Sequence, residues 1–552
     1  MGYDVVFLHP PSILDFRSRP YFPGPIAYTV TESTHQFIIP PIGMLSIADY
    51  LDRHGYKLYV DNIGERMLQD SSFNVQHYLE KIEANVFAID LHWIVHAHGA
   101  INLARICKTM HPDSLIVLGG LTATRFHGEV IEKYPFIDVV VRGEAEEPFL
   151  KLMESIDKKG NVERVPNTTY RVGSKIRVEP LTQPTDTLDK YEFTRLDLLK
   201  PKTLIFSANK PPYCAFWQIP ICRGCIYNCA TCGGSAHSYR KYLGRWTPSF
   251  RSPEKIVEDL DKLAEQGVKT VFLFQDPRMG GRRYWERLFK TLMTEGVAVD
   301  HITLELFEPA DEEYINIVSK LGTSVTLTIS PESGSEYVRR NHGRGYTNQQ
   351  LFDTIEKCQK YHIPILVFFM IALAYEDRET IKETWKIWEK ISIMDKEARS
   401  EKYPLTVGYG FGQMIFMDPG SLAFDNPLNY GYRLVYRTLE EHVNAMSLPS
   451  WHQWINYETA SLDCRAIAEL MLDSLEYSIS LREKFGIYSR LDALYERLFF
   501  VDVSRLVVRK IDEIMNIEDE VQRNMEIKNL HDHVVKYLSN LRVKIPYAYI
   551  PF

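Results

Sequence analysis

This chain has no excess of basic residues, no long apolar run and few cysteines. Lysine and arginine total 64 against 72 aspartates and glutamates, a net charge of −8, which offers no electrostatic footprint for nucleic acid or an anionic membrane. The longest apolar run, Pro364 to Tyr375, falls far short of the ~20 residues a spanning helix needs, and reads as a buried parallel strand. Eight cysteines in 552 residues are too few for a disulfide scaffold. No secretory signal opens the sequence, so the expected compartment is the reducing cytoplasm. What is present, 45% hydrophobic and 25% charged residues, is the composition of an ordinary globular protein, long enough for about two to four domains.

Three of the few cysteines are crowded into one stretch. Cys225, Cys229 and Cys232 stand in CRGCIYNCATCGGS with the spacing Cys-x-x-x-Cys-x-x-Cys. Three thiolates on one loop can hold three irons of a [4Fe–4S] cube and leave the fourth iron open to a substrate. A structural zinc site that includes Cys222 is the rival reading, but zinc modules separate their cysteine pairs by roughly a dozen residues or more. A ferredoxin-type electron-transfer cluster would need a fourth cysteine, commonly followed by proline, and Cys107, Cys214, Cys358 and Cys464 lack that context.

Flanked by Arg223-Gly224 and Gly233-Gly234, the motif resembles that of the radical S-adenosylmethionine superfamily. It departs from the superfamily pattern at Thr231, where an aromatic residue usually precedes the last cysteine, and Cys222 reads as a strand-end residue. The resemblance implies a [4Fe–4S] cluster on Cys225, Cys229 and Cys232, with S-adenosylmethionine at the open iron. It also implies an external electron donor such as a ferredoxin or flavodoxin.

The first 150 residues alternate strand and helix signals. Short β-branched runs at Asp4–Leu8, Lys57–Val60, Val86–Ile89, Leu115–Leu118 and Val139–Val141 predict buried parallel strands. Helices are expected over Gly43–His54 and His98–Met110. The fold class is thus α/β, beginning with a doubly wound Rossmann-like domain whose ligands sit beyond the carboxyl ends of its strands. The loops there hold Pro10-Pro11, Pro40-Pro41-Ile42-Gly43, Gly119-Gly120 with Thr122, and Arg142-Gly143-Glu144. In that order they resemble the cobalamin-binding domain fused to many radical S-adenosylmethionine enzymes, which implies cobalamin contacts at Pro10, Pro11, Gly43, Gly119, Gly120, Thr122, Gly143 and Glu144. Asp90-Leu91-His92 matches the start of an Asp-x-His-x-x-Gly cobalt-ligating motif, but Val95 replaces its glycine and it follows the third strand instead of the first. The resemblance places His92, Trp93 and His96 under the corrin, with or without coordination.

Residues 151–209 show no sustained period and read as a linker. Strand signals then recur at Phe216–Ile221, Val268–Phe274, Ile302–Leu306, Val325–Ile329, Ile363–Ile371 and Leu405–Phe411, with helices between them. One such helix is well marked by Ser252 as N-cap and Pro253 at its first position. Repeated βα units predict a parallel barrel or partial barrel over 210–425 with its active face at the strand carboxyl ends, and the resemblance implies the (β/α)6 partial TIM barrel, for which six strands can be counted. There Gln275, Glu305 and Glu332 are candidates for the hydroxyl and amino groups of S-adenosylmethionine, beside Gly233 and Gly234. Arg339 and Arg340 are candidates for its carboxylate. Where relatives carry a Gly-Leu-Pro-Gly-Glu-Thr type turn, this chain reads Ala372 to Asp377. Residues 426–552 are expected to form a mainly helical domain, with helices over Ala466–Phe485 and Ile511–Leu541 and an aromatic cluster including Tyr432, Trp451, Trp454 and Tyr457.

The resemblance implies radical C-methylation of an unactivated carbon, through a 5′-deoxyadenosyl radical and methylcobalamin. Non-methylating cobalamin enzymes that cyclise, contract rings or couple lipids are the alternative. A methylthiotransferase would carry further cysteines in its N-terminal domain, and only Cys107 precedes residue 200. A zinc-stabilised binding module is the alternative from another class. The domain arrangement is similar to that of archaeal enzymes that methylate carbon in methyl-coenzyme M reductase, so a protein or peptide, modified after translation, is an expected substrate.

Overall fold

The β-branched runs of the N-terminal third pair into one sheet. The structure, a computed structural model, describes residues 2–24, 40–202, 205–206, 216–400, 407–412 and 416–544. Strands β1 (Tyr3–His9), β2 (Leu58–Asn62), β3 (Ala84–Asp90), β4 (Leu115–Gly119) and β5 (Val139–Val141) are parallel, in spatial order β5-β4-β3-β1-β2. Every residue of β2 and β5 is buried, as expected when both faces of a parallel sheet are covered. The helices fall where the periodicity puts them, at Ile42–Asp52 and Ala97–Met110. Strand order reverses between β1 and β3, so the loops leaving their carboxyl ends diverge and open a crevice there.

The sheet continues past residue 150. Strand β6 (Thr168–Val172) adds antiparallel to β5, β7 (Lys175–Val178) antiparallel to β6, and β8 (Leu199–Lys200) pairs with β2 at the far edge. The span expected to be a linker therefore supplies three strands. Every residue of β7 is exposed, so the alternation of Ile176 and Val178 with Lys175 and Arg177, only four residues long, faces no core.

The second sheet begins with β9 (Phe216–Pro220), which leads into the cysteine stretch. A short antiparallel pair, β10 (Cys222–Arg223) and β11 (Ser249–Phe250), brackets that stretch. Then follow β12 (Thr270–Phe274), β13 (His301–Leu306), β14 (Ser324–Glu332), β15 (Ile365–Met370) and β16 (Val407–Gly412). All pair in parallel in the order β16-β15-β14-β13-β12-β9, the six-stranded partial barrel. The helix Pro253–Glu265 starts as its sequence says, the Ser252 side chain accepting the Lys255 N–H at 3.2 Å. Cys214 and the beginning of the strand expected from Leu405 lie outside the described residues.

Beyond the barrel come the antiparallel pair β17 (Tyr432–Leu434) and β18 (Tyr457–Thr459), then helices including Cys464–Lys484, Val503–Met515 and Glu520–Lys544. The single helix expected over Ile511–Leu541 is two, because the Asp519 carboxylate accepts the Gln522 N–H at 2.7 Å and starts a new helix. Tyr432, Trp451, Trp454 and Tyr457 are buried core. Phe22, from the segment after β1, crosses to this domain. Its N–H donates to the Pro449 carbonyl at 2.7 Å, and its ring packs with Ile511, Ile527 and Val534. No helix among the described residues is long and apolar enough to cross a membrane.

Candidate active site

The cysteine loop leaves the carboxyl end of β9, on the open face of the barrel. Cys225 and Cys229 are half-buried and Cys232 is exposed. The Tyr227 N–H donates to Cys225 Sγ at 3.4 Å and the Gly234 N–H to Cys232 Sγ at 3.3 Å, the kind of N–H···S contact that tunes a cluster. Burial pushes the Cys229 thiol up to about 11 against the opposing charge of Arg344, so metal ligation there must displace a proton. Among the described residues no three Cys, His or acidic side chains are drawn into a metal-ligand arrangement. Cys222 is buried at the end of its strand, its thiol 3.7 Å from the Gly224 carbonyl.

The loop is braced from several sides. Gly343, at φ +88°, lies so close that a Cβ would stand 2.8 Å from the Asn228 carbonyl, and the Ala230 N–H donates to the His342 carbonyl at 3.2 Å. The Gly233 N–H donates to Asp418 Oδ2 at 3.0 Å, and burial pushes that carboxyl up to about 6. A Cβ on Gly233 would fall 2.9 Å from that of Asp418, so this glycine answers to protein packing. Gly234 is different, since a Cβ there would meet only Cys232 Sγ, at 3.7 Å.

Loops after β12, β13 and β14 surround the trio. Gln275, at φ +79°, donates its side-chain amide to the Cys222 and Gly224 carbonyls at 3.1 and 3.2 Å. Its N–H donates to Glu305, whose carboxyl burial pushes up to about 7. Glu332, at φ +69°, pairs with Arg344 at 3.3 Å. Arg344 also donates to the Phe307 carbonyl at 2.8 Å, while its buried Nε has no hydrogen-bond partner among the described residues. Such an orphaned donor beside the cysteines suits a cofactor carboxylate. Arg344 escaped sequence reasoning, which chose Arg339 and Arg340. Arg339 is instead fully buried, donating to the Ser333 and Tyr346 carbonyls as a loop brace, and Arg340 is exposed.

The loop after β15 departs from the pattern of relatives at Ala372, Ala374, Tyr375 and Asp377 but keeps its glutamate, and that buried Glu376 holds it. Glu376 Oε2 accepts the Ala372 N–H at 2.8 Å and Oε1 accepts the Ser333 hydroxyl at 2.9 Å. Tyr457 donates to the Ala372 carbonyl at 3.1 Å, and the Tyr432 hydroxyl accepts the Ala374 N–H at 3.0 Å. The C-terminal domain is thereby tied to the barrel mouth.

In the N-terminal crevice, His9 and Asp90 share a buried hydrogen bond of 3.0 Å at the ends of β1 and β3. The His9 ring meets His96 edge-on at 4.9 Å, and His92 meets Trp93 likewise at 4.9 Å. His96 is buried, while His92 and Trp93 are half-buried at the surface of the crevice. Burial lowers the His92 pKa despite the opposing charge of Asp90, leaving the neutral imidazole that a metal or a flat macrocycle can meet. Pro10 and Pro11 are buried, and a Cβ on Gly99 would overlap the Pro11 carbonyl at 1.8 Å, so the helix Ala97–Met110 packs directly on that segment.

Two glycines of this crevice face open space and two do not. A Cβ on Gly43 would meet nothing within 4 Å, and one on Gly119 only the Val141 carbonyl at 3.8 Å. Gly120, expected to admit a ligand, instead admits the His92 loop. Thr122 clamps the same loop, its N–H and hydroxyl both donating to the His92 carbonyl at 3.1 and 3.0 Å. Gly143, at φ +74°, donates to Thr124 Oγ1 at 3.0 Å and packs beside the Asn167 amide.

Glu144, expected to face the cofactor, is committed to protein partners. Its carboxylate accepts Arg245 Nε at 2.5 Å and Nη2 at 2.8 Å, with Arg223 Nη1 at 3.4 Å. Glu146 accepts Arg223 Nη1 at 3.0 Å and the Ser46 hydroxyl at 2.6 Å. Burial would raise the Glu146 carboxyl, but the Arg223 charge outweighs it and holds the carboxyl below its usual range. Asp425 makes a second junction, bonded to His237 at 3.0 Å, Lys241 at 2.7 Å and Tyr242 at 2.7 Å, with Arg125 of the first domain at 3.4 Å.

Comparison with known proteins follows this division. The radical SAM superfamily profile matches residues 219–386 and the B12 binding domain profile residues 29–153. An uncharacterized methyltransferase of Pyrococcus horikoshii is 24% identical, the match covering 64% of this chain and 74% of that protein. A hopanoid C-3 methylase of Methylococcus capsulatus is 26% identical over 50% of this chain and 49% of its own length. An anaerobic magnesium-protoporphyrin IX monomethyl ester cyclase of Rubrivivax gelatinosus is 24% identical over 63% and 61%. The chain thus matches between about half and three quarters of these relatives' lengths. Among solved structures, the cobalamin-dependent S-adenosylmethionine radical enzyme OxsB superposes with TM-score 0.57 at 12% identity, covering 98% of this chain and 80% of that one. The radical S-adenosylmethionine methyltransferase TsrM of Kitasatospora setae gives 0.53 at 12%, covering 79% of each. At such identities the likeness is one of fold.

Proposed function

Because this chain is a cobalamin-dependent radical S-adenosylmethionine enzyme, with a [4Fe–4S] cluster, S-adenosylmethionine and cobalamin as cofactors, we propose that it methylates an sp3 carbon of its substrate. One observation carries the reading. Arg223, just ahead of Cys225, is ion-paired with Glu146 at the head of the helix that follows β5, so the cobalamin-domain edge abuts the cluster loop. Together the bound cofactors supply a hydrogen-abstracting radical and a transferable methyl group.

The chain's own residues would hold and orient them. Cys225, Cys229 and Cys232 ligate three irons, and the Tyr227 and Gly234 N–H groups bond two of their sulfurs. Arg344 takes the carboxylate of S-adenosylmethionine, and Glu305 and Glu332 face its hydroxyl and amino groups. Gly43, Gly119, His92 and Trp93 line the corrin face. The C-terminal domain, tied to the loop after β15 through Tyr432 and Tyr457, covers the barrel mouth and limits water. A low-potential ferredoxin or flavodoxin supplies electrons.

The methyltransferase relative supports methyl transfer and the hopanoid C-3 methylase relative supports carbon as its target, and the resemblance of the sequence's domain arrangement to archaeal enzymes that methylate methyl-coenzyme M reductase makes a glutamine side chain of that protein the first substrate to try. Anaerobic incubation of reconstituted enzyme, reductant and cobalamin with peptides of that reductase should add one methyl mass to a glutamine-containing peptide. Cofactor cleavage with no mass gain on any peptide defeats this substrate. The cyclase relative favours a second reading, ring formation without methyl transfer, which would make no S-adenosylhomocysteine.

A further inference from the structure

The two arginines that flank the cysteine trio, Arg223 before it and Arg245 after it, are both held by carboxylates from one short stretch of the cobalamin-binding domain, Glu144 and Glu146. We infer that this clasp couples the corrin crevice to the cluster loop, with Arg223 and Glu146 as its positioning residues. The pair is desolvated, with side-chain exposures of 15% and 1%, so neither charge finds water as a substitute if the domains shift. Its bonding groups satisfy one another in a single registry, the fork of Arg223 also reaching Glu144 at 3.4 Å.

The connection runs onward into the crevice. Glu146 accepts the Ser46 hydroxyl at 2.6 Å, and Ser46 lies one turn from Gly43 on the helix Ile42–Asp52, at the glycine whose Cβ side is open. A corrin seated against Gly43 therefore presses on a helix bonded to Glu146, which is bonded to Arg223 beside Cys225. On the other flank, Gly143 sets the turn that delivers Glu144 to Arg245. Both ends of the cluster loop thus answer to the position of the loop after β5. Linkage makes the coupling reciprocal, so an assembled cluster must tighten cobalamin binding as much as cobalamin steadies the cluster loop.

The test is the dissociation constant of hydroxocobalamin, read by absorbance, for cluster-loaded and for iron-free full-length protein. The unaltered protein should bind at least about fivefold more tightly when the cluster is present, the lower end of usual coupling. In Glu146→Gln that ratio should fall to within about twofold of one, with the iron-free constant little changed. If the single variant no longer binds cobalamin without iron, Glu146→Gln/Arg223→Gln, which strands neither charge, should show the same lost ratio. Lys133→Ala, which breaks the exposed inter-domain pair with Glu440, should keep the unaltered ratio. A ratio near one in the unaltered protein, a full ratio in the Glu146 variants, or an equal loss in Lys133→Ala overturns the inference. None of these results bears on whether a methyl group is transferred.

Discussion

The backbone of His92 passes 2.6 Å from the point where a Cβ on Gly120 would stand, and Gly120 holds φ +114°. Glycine is required here by the chain's own packing: the loop after β4 supports the loop after β3, and the crevice surface at His92 and Trp93 depends on it. Gly120→Ala should destabilise the apoprotein by at least ~2 kcal/mol and lose cobalamin, read by thermal unfolding and by absorbance after gel filtration. Gly43→Ala should do the opposite to stability, leaving it equal or up to ~1 kcal/mol higher, yet weaken cobalamin binding because the methyl group enters the open side of the crevice. Unchanged cobalamin affinity in Gly43→Ala would remove that residue from the site.

Cys225→Ala, Cys229→Ala and Cys232→Ala should each reconstitute with little iron or acid-labile sulfide. Cys222→Ala should hold about four irons per chain, since its thiol is buried at a strand end. Equal loss in the Cys222 variant would point to a four-thiolate site.

Arg344 places a positive charge beside Cys229 and Cys232. Arg344→Gln should lower the reduction potential of the cluster by on the order of tens of mV, because the more negative reduced cluster loses a stabilising charge. It should also raise the KM for S-adenosylmethionine. A potential that does not move, measured by redox titration with electron paramagnetic resonance, would place the guanidinium away from the cluster.

Glu376 is fully buried, and its carboxyl is pushed from 4.5 to about 7 by that burial. The folded state therefore holds a proton between pH 4.5 and 7 that the unfolded state releases, so this contribution is full below 4.5 and is lost as pH rises through 7. Glu376→Gln can still accept the Ala372 N–H through its amide oxygen, its NH2 now donating to the Ser333 hydroxyl oxygen, and does not titrate. Its stability relative to the unaltered protein should rise with pH by up to ~3 kcal/mol across that window. Parallel pH profiles of the two thermal midpoints would contradict the assignment.

Much of the scaffold was legible because its signals are local. The Val139–Val141 run, the Ser252-Pro253 cap and the six barrel strands each declare themselves within a few residues. Strands β6 and β7 did not, since β7 is a short, wholly exposed edge strand and β6, buried over Thr168–Tyr170, is placed by antiparallel backbone pairing with β5 and β7 that sequence does not display. The site was half legible. The three cysteines are read from their spacing and flanks, but Glu144 was expected at the cofactor from the resemblance of its loop, because its partner Arg245 is remote in the chain. Arg344 was passed over for the same reason, its neighbours Glu332 and Phe307 arriving from separate loops.

Carbon methylation by this enzyme would use a radical and a methyl group together on one carbon. Its most direct test is the product ratio when enzyme reconstituted with cluster and cobalamin turns over in the presence of its substrate. Carbon methylation predicts 5′-deoxyadenosine and S-adenosylhomocysteine in equal amounts, each matching methylated product. Formation of 5′-deoxyadenosine with substrate conversion and no S-adenosylhomocysteine would contradict it.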